Sequence, residues 1–272
     1  MRADGATLGV IRRVALDRAG IRWALLREPS GFDEERVGGR STLEAIHLLD
    51  RLLCPEPGAA VQPGGAAQLT IAERDVLLAA AWGMGWGATI SGTLTCGACA
   101  RPFDFDFRLD TLVDDVRAHA GDLPVEDGVY LLPGGCRFRL PTGHDELALA
   151  GLPLGDEAAE RALLERCVVE GDVVLDGPEV VAAMERMGGD IDVVLDAACS
   201  ECGHHHGVQF QIQDYVLSAI SADWGGLVED LHRLARAYRW SMTEILSLPR
   251  SRRRALVALL DGDAIPRSRE LA

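Results

Sequence analysis

Two C-x-x-C pairs, Cys96–Cys99 and Cys199–Cys202, stand 103 positions apart in segments that match without a gap. The same offset carries Ala79 onto Ala182, Ala80 onto Ala183, Met84 onto Met187, Gly85 onto Gly188 and Phe107 onto Phe210. Leu77, Leu78 and Ile90 fall on Val180, Val181 and Val193. A unit that occurs twice, each copy with two thiols, constrains the fold strongly, because zinc prefers four such ligands in a tetrahedron. The spacing predicts one structural Zn2+ site built jointly from Cys96, Cys99, Cys199 and Cys202, each pair on a tight turn between two strands. Two alternatives stay open. His204, His205 or His206, directly after the second pair, could close a local site, or the turns could hold no metal. Iron also accepts four thiolates.

Redox chemistry of the thioredoxin kind fits less well. It wants the first cysteine at a helix N-terminus, where the dipole favours a thiolate. Here each pair runs on into strand-like sequence, with Phe103, Phe105 and Phe107 alternating with Asp104, Asp106 and Arg108 in the first copy. Seven cysteines, an odd number, suit a reducing cytoplasm better than a disulfide framework. Cys54, Cys136 and Cys167 are isolated and read as small core residues.

The chain of 272 residues is 48% apolar, enough to bury the core of one or two domains. Acidic residues outnumber basic ones by 42 to 27, for a net charge of −15. That balance opposes phosphate backbones and anionic membranes and suits protein partners. Arg2, Asp4, Arg12 and Arg13 interrupt any signal-peptide core. The uncharged run from Val76 to Leu94 is about long enough to cross a bilayer, which takes roughly 20 apolar residues. Its counterpart in the second copy holds Glu185, Arg186, Asp190 and Asp192, so a buried helix running into a buried strand is expected instead.

Periodicity predicts an α+β chain: two related helix–strand–zinc knuckle–strand–helix units plus a helical C-terminal segment. Divided by segment, 1–68 holds strands between Gly9 and Leu26, a loop over 28–40 and a helix over 43–53 capped by Ser41 or Thr42. The first unit, 69–125, opens with a Thr70–Glu73 capping box and a helix to about Trp82. A central part, 126–176, holds a hairpin around Pro133-Gly134-Gly135 and helices over 142–149 and 156–168. The second unit, 177–222, begins its helix at Pro178. Helices over 227–239, 243–246 and 250–260 fill 223–272, with a frayed tail after Gly262.

Catalytic signatures are scarce: the chain has no P-loop, G-x-G-x-x-G, H-E-x-x-H or G-x-S-x-G. The acidic run Thr142 to Glu146 reads as a helix start, where negative charge is favoured, and His232 as a core-edge or surface group of a helix. Arg250, Arg252, Arg253 and Arg254 form the basic cluster near the end of an acidic chain and suit an acidic protein partner.

Four passages resemble the phage baseplate hub assembly chaperones and their relatives in contractile injection systems. They are "REPSGFDEERV" (27–37), "LTIAERDVLLAA" leading to "LTCGAC", "FRLPTGHDELAL" (138–149) and "DLHRLARAYRWSMTEILSLPRSRRRALVALL". The resemblance covers most of the chain. It departs from the common pattern at Ser30, where the family has Thr, and at Ala100, where Gly commonly follows the second cysteine. It implies a cytoplasmic, non-enzymatic assembly chaperone or adaptor whose partners are baseplate or hub proteins, with no nucleic acid and no membrane. Trp240, Leu246, Arg250 and Arg253 are the expected partner-binding residues, since Trp and Arg dominate binding hot spots. The alternative function is a zinc-ribbon regulatory or nucleic-acid-binding protein.

Overall fold

The computed structural model describes residues 9–17, 19–121 and 123–262; the expectations for Arg2, Asp4 and the tail after Gly262 lie outside them. The chain mixes helix and strand, an α+β composition. It opens with an antiparallel hairpin, β1 (Ile11–Ala15) and β2 (Trp23–Arg27). The segment expected to be a loop contains a single helical turn, α1 (Gly31–Glu35). A Ser30–Asp33 capping box starts it, and Asp33 and Glu34 are buried because arginines meet them. α2 (Thr42–Leu52) begins at Ser41, whose side chain accepts the Glu44 N–H, and buries Ala45, Ile46, Leu48, Leu49 and Leu52.

α3 (Ile71–Gly85) starts at the Thr70–Glu73 capping box. The hairpin β3 (Thr89–Thr95) and β4 (Pro102–Arg108) follows, then α4 (Leu109–His119). Only Ile90 of β3 is buried, so the uncharged run ends in a half-exposed strand and not a buried one. Among the described residues no helix is long and apolar enough to cross a membrane.

The central part holds β5 (Val125–Glu126), β6 (Val129–Leu131), β7 (Arg137–Arg139), α5 (Gly143–Leu149), α6 (Asp156–Cys167) and β8 (Val168–Glu170). The four strands form one antiparallel sheet in sequence order, with the expected β6–β7 hairpin at its centre. Its outer strands are two and three residues long, too short to leave a periodic pattern. α7 (Val173–Gly188) starts before Pro178, because Asp172 caps the N–H groups of Val174 and Leu175. Pro178 therefore lies inside the helix. It removes the bond to the carbonyl of Val174, which sits in the exposed first turn where water can replace it.

β9 (Asp192–Ala198) and β10 (His205–Gln211) make the second knuckle hairpin, followed by α8 (Ile212–Ala222). α9 (Trp224–Tyr238), α10 (Met242–Leu246) and α11 (Arg250–Leu260) complete the chain. The largest apolar core gathers side chains from β1, β2, α2, α3 and α8. Smaller clusters sit under the central sheet, around the cysteines and among the last helices.

One set of side-chain bonds occurs twice. Arg27 grips Asp33 with both ends of its guanidinium, at 2.7 and 2.9 Å, and reaches the carbonyl of Arg51. Arg139 grips Asp145 in the same way, at 2.6 and 2.9 Å, and reaches the carbonyl of Arg166. Each carboxylate also accepts the N–H that opens its helical turn, from Ser30 or Thr142. The next residue then holds a distant helix. Glu34 meets Arg250 and Arg253 of α11, and Glu146 meets Arg74 of α3. Gly31 and Gly143 allow this closeness: a Cβ would fall 2.8 Å from Leu246 on one and from Ile46 on the other. Burial works to raise Asp33, yet Arg27 and Ser30 hold it below its ordinary range. Asp145 is held far lower by Arg139.

Arg253 is fully buried and Glu34 nearly so, and breaking a buried pair strands its partner. Glu34→Ala is expected to lower unfolding free energy in urea by about 3–5 kcal/mol. Breaking the exposed Arg161–Glu165 pair by Arg161→Ala should change it by less than about 1 kcal/mol. Equal effects would remove the clasp from its place in the fold.

Asp75 on α3 is a second buried tie, accepting the Ile191 N–H at 2.8 Å just before β9. Burial pushes its carboxyl from 3.8 up to about 7, against the help of that N–H and of Arg74, while Asp190 and Glu146 add to the rise. The folded chain thus keeps a proton that the unfolded chain has released, so stability falls as pH climbs between those two values. Asp75→Asn should flatten that part of the melting-temperature profile and be the more stable form at pH 8. A parallel pair of profiles would sink this.

Candidate metal centre

The two knuckle hairpins meet at their tips. Cys96 Sγ lies 3.6 Å from Cys202 Sγ, and Cys99 Sγ lies 3.9 Å from Cys199 Sγ. All four sulfurs fall within 4.8 Å of one another. Zinc–sulfur bonds of about 2.3 Å imply a tetrahedron edge of about 3.8 Å, so the donor set fits one such ion. Both close pairs run between hairpins. The geometry therefore gathers the joint set of Cys96, Cys99, Cys199 and Cys202, not a local site on the second hairpin.

Each knuckle is held by the same two backbone bonds. The Cys96 N–H donates to the carbonyl of Arg101 and the Ala100 N–H to that of Cys96, both at 2.9 Å. Their equivalents, Cys199 to His204 and Gly203 to Cys199, are both 2.8 Å. The turn needs a left-handed residue, which Gly203 supplies at φ 72° and Ala100 at φ 56°. The Cβ of Ala100 makes that conformation costlier by roughly 1–2 kcal/mol. Ala100 is thus accommodated in the turn at the position where the second knuckle has Gly203.

Phe103, Ala197, Leu94, Phe105 and Val208 surround the sulfurs, and Arg101 pairs with Glu201 across the tips at 2.8 Å. Lower down, Phe107 meets its counterpart Phe210 edge to face at 4.9 Å. Cys96 and Cys199 are buried, Cys99 is half-buried and Cys202 is exposed. Backbone N–H groups of Cys99 and Ala98, with His206, hold the Cys96 thiol down to about 5 against its burial. The His204 N–H works to lower Cys202, yet the neighbouring sulfurs push it up to about 12. Binding of a cation by thiolates is linked to release of thiol protons, which is the behaviour expected of a metal site.

The histidines take other roles. His205 Nδ1 meets Asp196 at 2.8 Å, the rings of His204 and His206 pack edge to face at 4.8 Å, and His206 Nε2 approaches Cys96 Sγ at 3.3 Å. Cys136 and Cys167 are buried as expected, with Cys167 pushed up to about 11 by its burial, whereas Cys54 is half-exposed. His232 is exposed, and the acidic run from Thr142 to Glu146 is taken up by the second clasp.

The expected partner-binding residues need correcting. Leu246 is 2% exposed, Arg250 6% and Arg253 0%. Both arginines face inward because Glu34, Asp223 and Asp230 neutralise them, and Arg250 also lies over the Trp86 ring at 4.2 Å. Of the four, only Trp240 reaches the surface, at 36% exposure and stacked on Tyr238. The clasps themselves escaped the sequence reading. Their signal was present as Arg-x-Pro-Ser/Thr-Gly-x-Asp-Glu at 27–34 and again at 139–146.

Metal analysis of the purified chain should find one thiophilic divalent ion per molecule, and Cys199→Ser should abolish its retention. Equal metal content in both proteins would remove the site. No family model matches the chain, no curated protein matches it, and no solved structure matches it.

Proposed function

We propose that the chain is a non-enzymatic assembly chaperone or adaptor for the baseplate of a phage tail or contractile injection system, with a structural zinc. The observation that carries this reading is how the four family-like passages meet. Glu34 of the first passage holds Arg250 and Arg253 of the fourth, and Glu146 of the third holds Arg74 of the second. Passages that pair with one another in two matching clasps support a likeness of fold, not of scattered residues.

The metal reading supports the same conclusion. Four thiolates fill every position of a tetrahedral ion and leave none for water, as in structural zinc sites. The elements α3–β3–β4–α4 and α7–β9–β10–α8 follow one another in the same order and at the offset of the cysteines. They are two related helix–strand–knuckle–strand–helix units that the zinc joins. Structural zinc contributes on the order of 10 kcal/mol in small domains, enough to fix the hairpin pair as one rigid body. Exposed Asp104, Asp106, Asp192 and Asp196 on the knuckle strands oppose nucleic acid and favour protein partners. The Tyr238–Trp240 stack, with exposed Met242 beside it in sequence, is an exposed apolar surface on the last helices that such a partner could contact.

Deletion of the gene from a cluster that encodes sheath, tube and baseplate tests this directly. Cells lacking it should make those proteins yet yield no baseplate-capped particles by electron microscopy. The tagged full-length chain should restore them and recover a baseplate or hub component, with about one zinc bound per chain. Normal particles in the deletion strain would end the proposal.

A further inference from the structure

The two hairpins carry different residues at one position beside the sulfurs. Phe103 on β4 and His206 on β10 both stand seven residues after the first cysteine of their pair. Phe103 is buried in the apolar cluster that contains Cys96 and Cys199. The ring of His206 lies 5.4 Å from the Phe103 ring, and its Nε2 points to Cys96 Sγ at 3.3 Å. A phenyl ring offers no such polar atom to a sulfur. The His204 ring also packs edge to face with His206, at 4.8 Å, so two rings contact the imidazole.

A metal-bound thiolate can only accept a hydrogen bond, so the ring nitrogen facing it carries the proton. We propose that His206 is a positioning residue of the metal centre, donating Nε2–H to the Cys96 sulfur and slowing loss of the bound ion. This rests on reading the four cysteines as a metal site. A divalent ion with four thiolates carries a net −2, in a chain already at −15. Donors to the sulfurs draw off part of that charge and hold the ligands in place, and such partners tune metal sites strongly. Of the side chains around Cys96 Sγ, His206 is the one that brings a nitrogen to it, at 3.3 Å. Cys202 is the exposed member of the four.

The geometry also separates a donor from a ligand. At 3.3 Å from Cys96, Nε2 is at hydrogen-bond range from that sulfur, and the four sulfurs already form a set of tetrahedral size. His206 therefore supports a ligand and does not replace one.

The test loads the full-length chain with Co2+ or Zn2+ and follows the sulfur-to-cobalt charge-transfer band and the rate of metal loss to a chromophoric chelator. His206→Phe, which restores the residue of the first hairpin, should still bind one ion. Its affinity should drop by on the order of tenfold or more, with a charge-transfer band at lower energy, because an unbonded thiolate gives up its electrons more easily. His206→Gln, whose amide N–H can stand near the Nε2 position, should recover most of both properties. His206→Ala gives the same comparison if the phenyl ring is not accommodated. Unchanged affinity and band in these variants overturn the inference while leaving the metal site standing. So does a wild-type cobalt spectrum of three sulfurs and one nitrogen, which makes His206 a ligand. A wild-type chain that takes up no metal overturns the site and the inference together.

Discussion

Four sulfur atoms on hairpins 103 residues apart share a space under 5 Å across, and that crowding governs the rest of the molecule. As thiolates they repel one another; as thiols they must hold protons in a partly dry pocket. A tetrahedral cation would remove both problems at once, and joining the hairpins and binding the ion would then be one event. The apolar rings beneath the sulfurs add burial without direction. The direction comes from the knuckles, whose repeated backbone bonds aim each sulfur pair at the other hairpin.

Away from the sulfurs, the chain is tied by arginine. All 27 of its basic residues are Arg. The planar guanidinium grips a carboxylate with two parallel bonds, which a lysine cannot do. In both clasps one arginine holds an aspartate that also caps a helical turn, and the neighbouring glutamate reaches an arginine one turn into another helix. Such buried pairs give modest net stability, yet losing one member is costly, so they specify which helix lies where. The first clasp ties the start of the described chain to α11, and the second ties the central part to α3. Part of the acidic content serves as counter-charge for these internal arginines.

The sequence exposed those features that repeat at short range. Thr70 with Glu73, the alternating phenylalanines and the paired cysteines each signal a local structure, and each lies where its pattern placed it. What escaped notice depended on partners far along the chain. Asp33 and Glu34 look like a solvated loop until Arg27, Arg51 and Arg253 are known to face them. Arg250 and Arg253 look like a basic contact surface for the same reason. Charge that is neutralised across more than 200 residues leaves no local periodicity, whereas a capping box is complete within four. Pro178 misled in the opposite way: its local preference for a first turn yielded to the stronger cap at Asp172.

The two kinds of tie divide the molecule. Sulfur chemistry fixes the hairpin tips, which stand away from the main core and have little apolar surface of their own. Ion pairs fix the helices, whose cores are already large. Asp75 links the two regimes, because it rises from the core helix α3 to hold the backbone just ahead of β9. A shift of the second hairpin therefore has to break a buried hydrogen bond at its base as well as a sulfur cluster at its tip. A body held at both ends in this way presents its remaining faces in fixed positions, which is what the proposed assembly role would require.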